Sequence, residues 1–138
     1  DFWEDELLQG PNEIIRHAGL ERIPLLVRAG SLLPMQEGQE LVLHLYPSEK
    51  GRNVIRLYND AGDGYGAFRI DQFYIDQGEE QIKLIWEHSG DFDFPYAGVS
   101  VHVHAWESRR CQVDGQLKTI EESRLHLAQP FKNLILER

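Results

Sequence analysis

One cysteine in 138 residues excludes an internal disulfide framework, so whatever fold this chain adopts must be held by its core. Basic charge is also scarce. Lysine and arginine number 14 against 23 acidic residues, giving a formal net charge of −9. A surface of that sign repels phosphate backbones, and the only adjacent basic pair is Arg109-Arg110, so nucleic acid is not expected as a partner. No apolar run approaches the roughly 20 residues a bilayer-spanning helix needs, so no such helix is expected, and no membrane partner. Low-complexity tracts are absent and 41% of residues are hydrophobic, enough for a real core. The chain opens on Asp1-Phe2-Trp3-Glu4-Asp5, without an initiator Met or a basic leader. Such a start is expected of a piece cut from a longer protein.

A convincing helical stripe is missing too; Glu79 to Leu84 or Thr119 to Ser123 could hold one turn at most. What is present is a period of two. Leu41, Leu43 and Leu45 share one face of their segment, and Ile82, Leu84 and Trp86 do the same in theirs. Val99, Val101, Val103 and Ala105 alternate with Ser100, His102, His104 and Trp106. Successive side chains of a strand point to opposite faces, so this pattern suits half-buried strands. Shorter runs of the same character lie at Val54 to Tyr58, Phe73 to Asp76, Arg124 to Ala128 and Asn133 to Glu137. Between them stand turn residues: Ser48-Glu49-Lys50-Gly51, Asp63-Gly64, Ser89-Gly90-Asp91 and Asp114-Gly115. Asp114-Gly115 between Cys111-Gln112-Val113 and Gln116-Leu117-Lys118 predicts a two-residue hairpin. The expected fold class is all-β, an antiparallel β-sandwich.

One segment breaks the alternation. Arg22 to Met35 carries continuous apolar runs, which predict strands buried on both faces, with Pro24 and Pro34 limiting where pairing can run. The polar stretch Gln36-Glu37-Gly38-Gln39 marks an expected boundary. It divides residues 1–36, too short for a sandwich, from 37–138, long enough for an independent domain.

The same segment carries a resemblance. Asp1-Phe2-Trp3, followed about twenty residues later by Arg22-Ile23-Pro24-Leu25-Leu26-Val27-Arg28-Ala29-Gly30-Ser31-Leu32-Leu33-Pro34, resembles the chain just after the catalytic barrel in glycoside hydrolase family 31, which includes α-glucosidases and α-xylosidases. Leu43-His44-Leu45-Tyr46-Pro47 and then Leu57-Tyr58-Asn59-Asp60-Ala61-Gly62-Asp63-Gly64-Tyr65 resemble the family's next marker, a Leu-Tyr-Glu-Asp-Asp-Gly type of turn. Ala61 and Gly62 interrupt its acidic run. The resemblance covers residues 1 to about 75.

It implies that residues 1–36 are the remnant of a proximal β-sandwich and 37–138 a distal one, both following a barrel. It also implies a parent that hydrolyses α-glycosidic bonds with retention, using two carboxylates about 5 Å apart across the sugar. In the family both lie on barrel loops upstream. No residue of this chain is therefore assigned a catalytic, cofactor-binding or metal role. The implied partner is the parent's catalytic barrel, and the implied task is to brace it. A carbohydrate-binding module is the alternative. Removal of upstream strands also implies that residues 1–36, with Ile23, Leu25, Leu26, Val27, Leu32 and Leu33, either fold back on the sandwich or self-associate.

Several residues invite sharper chemistry. Asn59 to Gly64 has calcium-like oxygens, but Ala61 and Ile70 stand at the third and twelfth positions where the helical calcium loop needs an oxygen ligand and Glu; a turn closed by its own Asp side chains is expected. His102 and His104 share a strand face, and His44 and His126 lie on other strands. Two imidazoles at this spacing can meet a metal, but nothing in the sequence brings in a third ligand, and polar-face histidines are the expectation. Trp86, Trp106, Tyr96, Phe92 and Phe94 could stack on a glycan, with Trp106 expected on an exposed face; the competing expectation is that these rings fill the core. Cys111 is expected to be a small core or edge residue. Glu79-Glu80 and Glu121-Glu122 point apart and read as solvated turns.

Overall fold

The computed structural model describes residues 1–62 and 64–138; Asp63 of the predicted turn lies outside the described residues. The described residues form ten strands: β1 Ser31–Glu37, β2 Glu40–Tyr46, β3 Gly51–Asp60, β4 Phe68–Gln77, β5 Gln81–Gly90, β6 Gly98–Val103, β7 Arg110–Val113, β8 Gln116–Lys118, β9 Arg124–Leu127 and β10 Asn133–Glu137. They make two sheets, one ordered β1-β2-β6-β9 and one ordered β3-β4-β5-β10-β7-β8. The protein is all-β, two sheets closing on one core in a β-sandwich.

The period-two pattern explains which side chains meet. Leu41, Leu43 and Leu45 of β2 and Val99, Val101 and Val103 of β6 point inward from the four-stranded sheet. They meet Phe73 and Ile75 of β4, Ile82, Leu84 and Trp86 of β5, and Leu134 and Leu136 of β10. Asp114 and Gly115, both at positive φ, form the tight turn of the β7–β8 hairpin. Asp114 Oδ1 also accepts the backbone N–H groups of Lys132 and Asn133, tying this turn to the start of β10.

Three features depart from the sequence reading. First, β2 and β6 are parallel, whereas every other strand pair among the described residues is antiparallel. Between them the chain crosses to the other sheet and runs β3, β4 and β5 before returning, so it is not bound by hairpin direction. Second, Arg22–Ala29 is not strand and is mostly exposed; only the segment from Ser31 onward pairs. Third, the polar stretch is part of a hairpin: Gln36 and Glu37 end β1, and Gly38-Gln39 is the two-residue turn into β2. β1 lies opposite β2 from Ser31↔Tyr46 to Glu37↔Glu40. The sheet therefore begins near residue 31, and a division at 36 would cut β1 from its partner. Pro34 is accommodated because β1 is the edge of its sheet.

Residues 1–30 fold back against the outer face of the four-stranded sheet. The two halves of the family-like segment meet there. Phe2 N–H donates to Leu25 O at 2.9 Å, and Trp3 Nε1 donates to Ile23 O at 2.7 Å. Arg22 lies over the Trp3 ring at 5.2 Å. This covering explains why β2 is buried on both faces, with Val42 and His44 as hidden as the leucines between them.

Cys111 is inward-facing on β7 and 2% exposed. Burial pushes its thiol up to about 11, so almost none is thiolate at neutral pH. Alkylation by a thiol reagent at pH 8 should be negligible in the folded protein and complete in denaturant. Rapid labelling under native conditions would mean that β7 opens.

Candidate histidine centre on the outer sheet face

The outer face of the four-stranded sheet carries an unusual row. On β2, His44 and Tyr46 point outward, because Leu41, Leu43 and Leu45 take the inward positions. On β6 the valines point inward, leaving Ser100 and His102 outward, with His104 just past the strand end. The parallel register sets His44 directly opposite His102. His104 N–H donates to Leu45 O at 2.9 Å, which continues the ladder by one residue and brings the third imidazole beside the first two.

The three rings form a cluster. One ring nitrogen from each of His44, His102 and His104 lies within 4.8 Å of the others. His44 Nδ1 and His104 Nε2 are 2.9 Å apart. The opposite nitrogens of these two rings face carboxylates: His44 Nε2 meets Glu37 Oε1 at 2.9 Å, and His104 Nδ1 meets Asp5 Oδ1 at 2.7 Å. Tyr46 stacks on His104 at 4.2 Å with rings nearly parallel. Phe2 closes over His44 at 6.0 Å. His102 Nδ1 is buried without a hydrogen-bond partner.

The surroundings disfavour the charged form of two of these rings, His102 and His104. Burial, then the charges of His104, Arg124 and His44, push His102 down to about 4. Burial also lowers His104, against the opposing pull of Asp5. Burial raises the Tyr46 hydroxyl, helped by Asp5. Beside the cluster is a cavity of about 310 Å³ between residues 1–30 and the sheet, lined by Asp5, Leu7, Ile14, Leu26, Tyr46 and His104.

The other sequence candidates sit elsewhere. His126 stays apart from the cluster, 2.7 Å from Ser100 Oγ. At the Asn59–Gly64 turn, Asp60 Oδ1 accepts the Gly62 N–H at 2.8 Å, an Asx turn, and Asn59 Oδ1 accepts the Tyr96 hydroxyl at 3.0 Å. The aromatic candidates divide differently from expectation. Trp86 and Trp106 are only 4% and 7% exposed, and Phe94 and Tyr96 pack against the core. Trp106 was expected on an open face; instead it is buried, with Arg138 over its ring at 5.4 Å, because the chain leaves β6 after Val103 and turns through Ala105 at positive φ. Neither tryptophan offers a platform to a sugar.

Sequence reasoning missed a second polar group, inside the core. Asp71 is fully buried and takes a bidentate Arg69 at 2.8–3.0 Å. Trp86 Nε1 donates to the same carboxylate at 2.8 Å. The signal was available: Arg69 and Asp71 keep the parity of Phe73 and Ile75 along β4.

No family model matches the chain. Two curated proteins do. Alpha-glucosidase 2 of Bacillus thermoamyloliquefaciens is 23% identical over 128 residues, covering 83% of this chain and 16% of that protein. Alpha-xylosidase of Saccharolobus solfataricus is 30% identical over 96 residues, covering 63% of this chain and 12% of that protein. The matches support an origin related to glycoside hydrolase family 31. The chain spans less than a fifth of the length of either relative, consistent with its being part of a larger protein.

Proposed function

We propose that this chain is a non-catalytic accessory region of a larger α-glucosidase-type glycoside hydrolase, and that it braces the catalytic barrel of that parent. In this reading residues 1–30 close a preceding β-domain and the sandwich from residue 31 onward is the distal domain. The observation that carries it is the surface of residues 1–30. Leu7, Ile15, Leu20, Ile23 and Leu26 are all exposed there, Ile15 by 81% and Ile23 by 75%. Soluble surfaces rarely keep so dense an apolar set bare, and each such side chain gains roughly 1.5–3 kcal/mol when buried. A surface of this kind fits packing against the rest of a parent protein.

The chain alone should therefore release nothing above background from an aryl α-glucoside and should self-associate at high concentration through residues 1–30. Ile23→Asp with Leu26→Asp should return it to monomer in light scattering. A strictly monomeric chain with saturable glycan quenching of its tryptophan fluorescence would instead favour a carbohydrate-binding module. Turnover that survives repurification and is lost on mutating this chain would refute the accessory role.

A further inference from the structure

We infer that His44, His102 and His104 form a binding site for a divalent transition-metal ion, with zinc the ion best suited to it. Imidazole nitrogens suit zinc, copper and nickel far better than magnesium or calcium. Four-coordinate zinc holds nitrogens at about 2.0–2.1 Å, so ligand atoms around it lie roughly 3.3 Å apart. The three rings already converge to within 4.8 Å, with the closest pair at 2.9 Å. Occupation therefore needs shifts of side chains only.

The protons point the same way. His44 Nε2 and His104 Nδ1 each face a carboxylate oxygen, so each must carry its hydrogen there. A neutral imidazole has only one N–H. The remaining nitrogens, His44 Nδ1 and His104 Nε2, then present two lone pairs to each other at 2.9 Å. Such an arrangement repels unless a cation lies between them. One proton would relieve that pair, but it can bridge only two nitrogens, and His102 Nδ1 would still be buried with nothing to bond. A metal ion can take all three rings.

The surroundings match a metal site as well. Metal-bound histidines usually donate their other N–H to a carboxylate or carbonyl, which fixes the tautomer and raises basicity. Glu37 and Asp5 do this for two of the three rings. They also bring negative charge against the opposing Arg124, whose Nη1 is 3.9 Å from Glu37 Oε2. Stacking on Tyr46 fixes the plane of His104. Asp5 belongs to the segment that folds back, so metal binding would fasten residues 1–30 to the sheet. Three protein ligands also leave a fourth position open to water.

The test uses the whole 138-residue chain without a histidine tag, stripped with chelator and titrated with Co²⁺ and Zn²⁺ at neutral pH. One equivalent of Co²⁺ should give the intense visible absorption of a four-coordinate ion, and Zn²⁺ should displace it and raise the melting temperature. His102→Gln should weaken binding at least 100-fold, whereas replacing His17 or His88, which are not among the three converging rings, should not. Asp5→Asn should weaken it 10–100-fold through the orientation of His104, and its exposed carboxyl can be changed without loss of the fold. Should His102→Gln unfold, Asp5→Asn decides. Absence of Zn²⁺ binding at 100 µM, or affinity unchanged within threefold in the informative variant, would overturn the proposal and leave His44 and His104 sharing a proton.

Discussion

Replacing Asp71 with alanine is expected to cost about 3–5 kcal/mol of stability, the usual penalty for leaving one member of a buried ion pair uncompensated. Arg69 would keep its charge inside the core, 6% exposed, with only the face of Phe94 at 5.2 Å, among the described residues, to offset it. Trp86 Nε1 would lose its acceptor in the same step. Urea unfolding followed by tryptophan fluorescence should show a large fall in midpoint with little change in slope. Two controls separate the charge from the space it fills. Asp71→Asn should lose less, because an amide oxygen can still accept from Trp86. Joint replacement of Arg69 and Asp71 by methionine and leucine should recover much of the loss, because buried pairs often exchange for apolar residues at little cost. A loss below about 1 kcal/mol in Asp71→Ala would mean that water reaches this pair.

Gly90→Ala is expected to be nearly as damaging, by roughly 3 kcal/mol, at the upper end of the cost of a strained backbone position. Gly90 ends β5 at φ +95, where side chains are rarely tolerated. A Cβ there would lie 2.1 Å from the Phe68 carbonyl oxygen, which is backbone and already accepts the Phe92 N–H at 3.1 Å. Arg69 is the residue opposite Gly90, so the shift would run straight into the Arg69–Asp71 pair. Gly62→Ala is the comparison, since it has a similar positive φ but open space around the added methyl; it should lose about 1 kcal/mol or less. Equal losses at the two positions would show that φ, and not the clash with Phe68, decides.

Much of the sandwich was legible because its information is local. Alternation along β2, β5 and β6 fixed which side chains would be inward, and Asp114-Gly115 fixed a hairpin by its turn chemistry. The expectation for Arg22–Ala29 failed for the converse reason. An apolar run predicts a buried strand only where a neighbouring strand is present to pair with it, and here no strand among the described residues pairs with this stretch. Gly90 was seen only as a turn residue, since the approach of Phe68 depends on the pairing of β4 with β5. The histidine centre was half visible. The sequence put His102 and His104 on one face, but the third ring comes from a strand about 60 residues away, placed there by a parallel register that no hairpin dictates.

By itself, then, the sequence determined an all-β chain with these inward faces, an acidic surface and a segment like those of family 31 enzymes, because strand parity and turn residues act over a few positions. Only the tertiary structure decided which strands became neighbours. That choice belongs to the packing of two whole sheets, and it alone set His44 beside His102, carried Asp5 across to His104, and brought Trp86 to the buried Asp71.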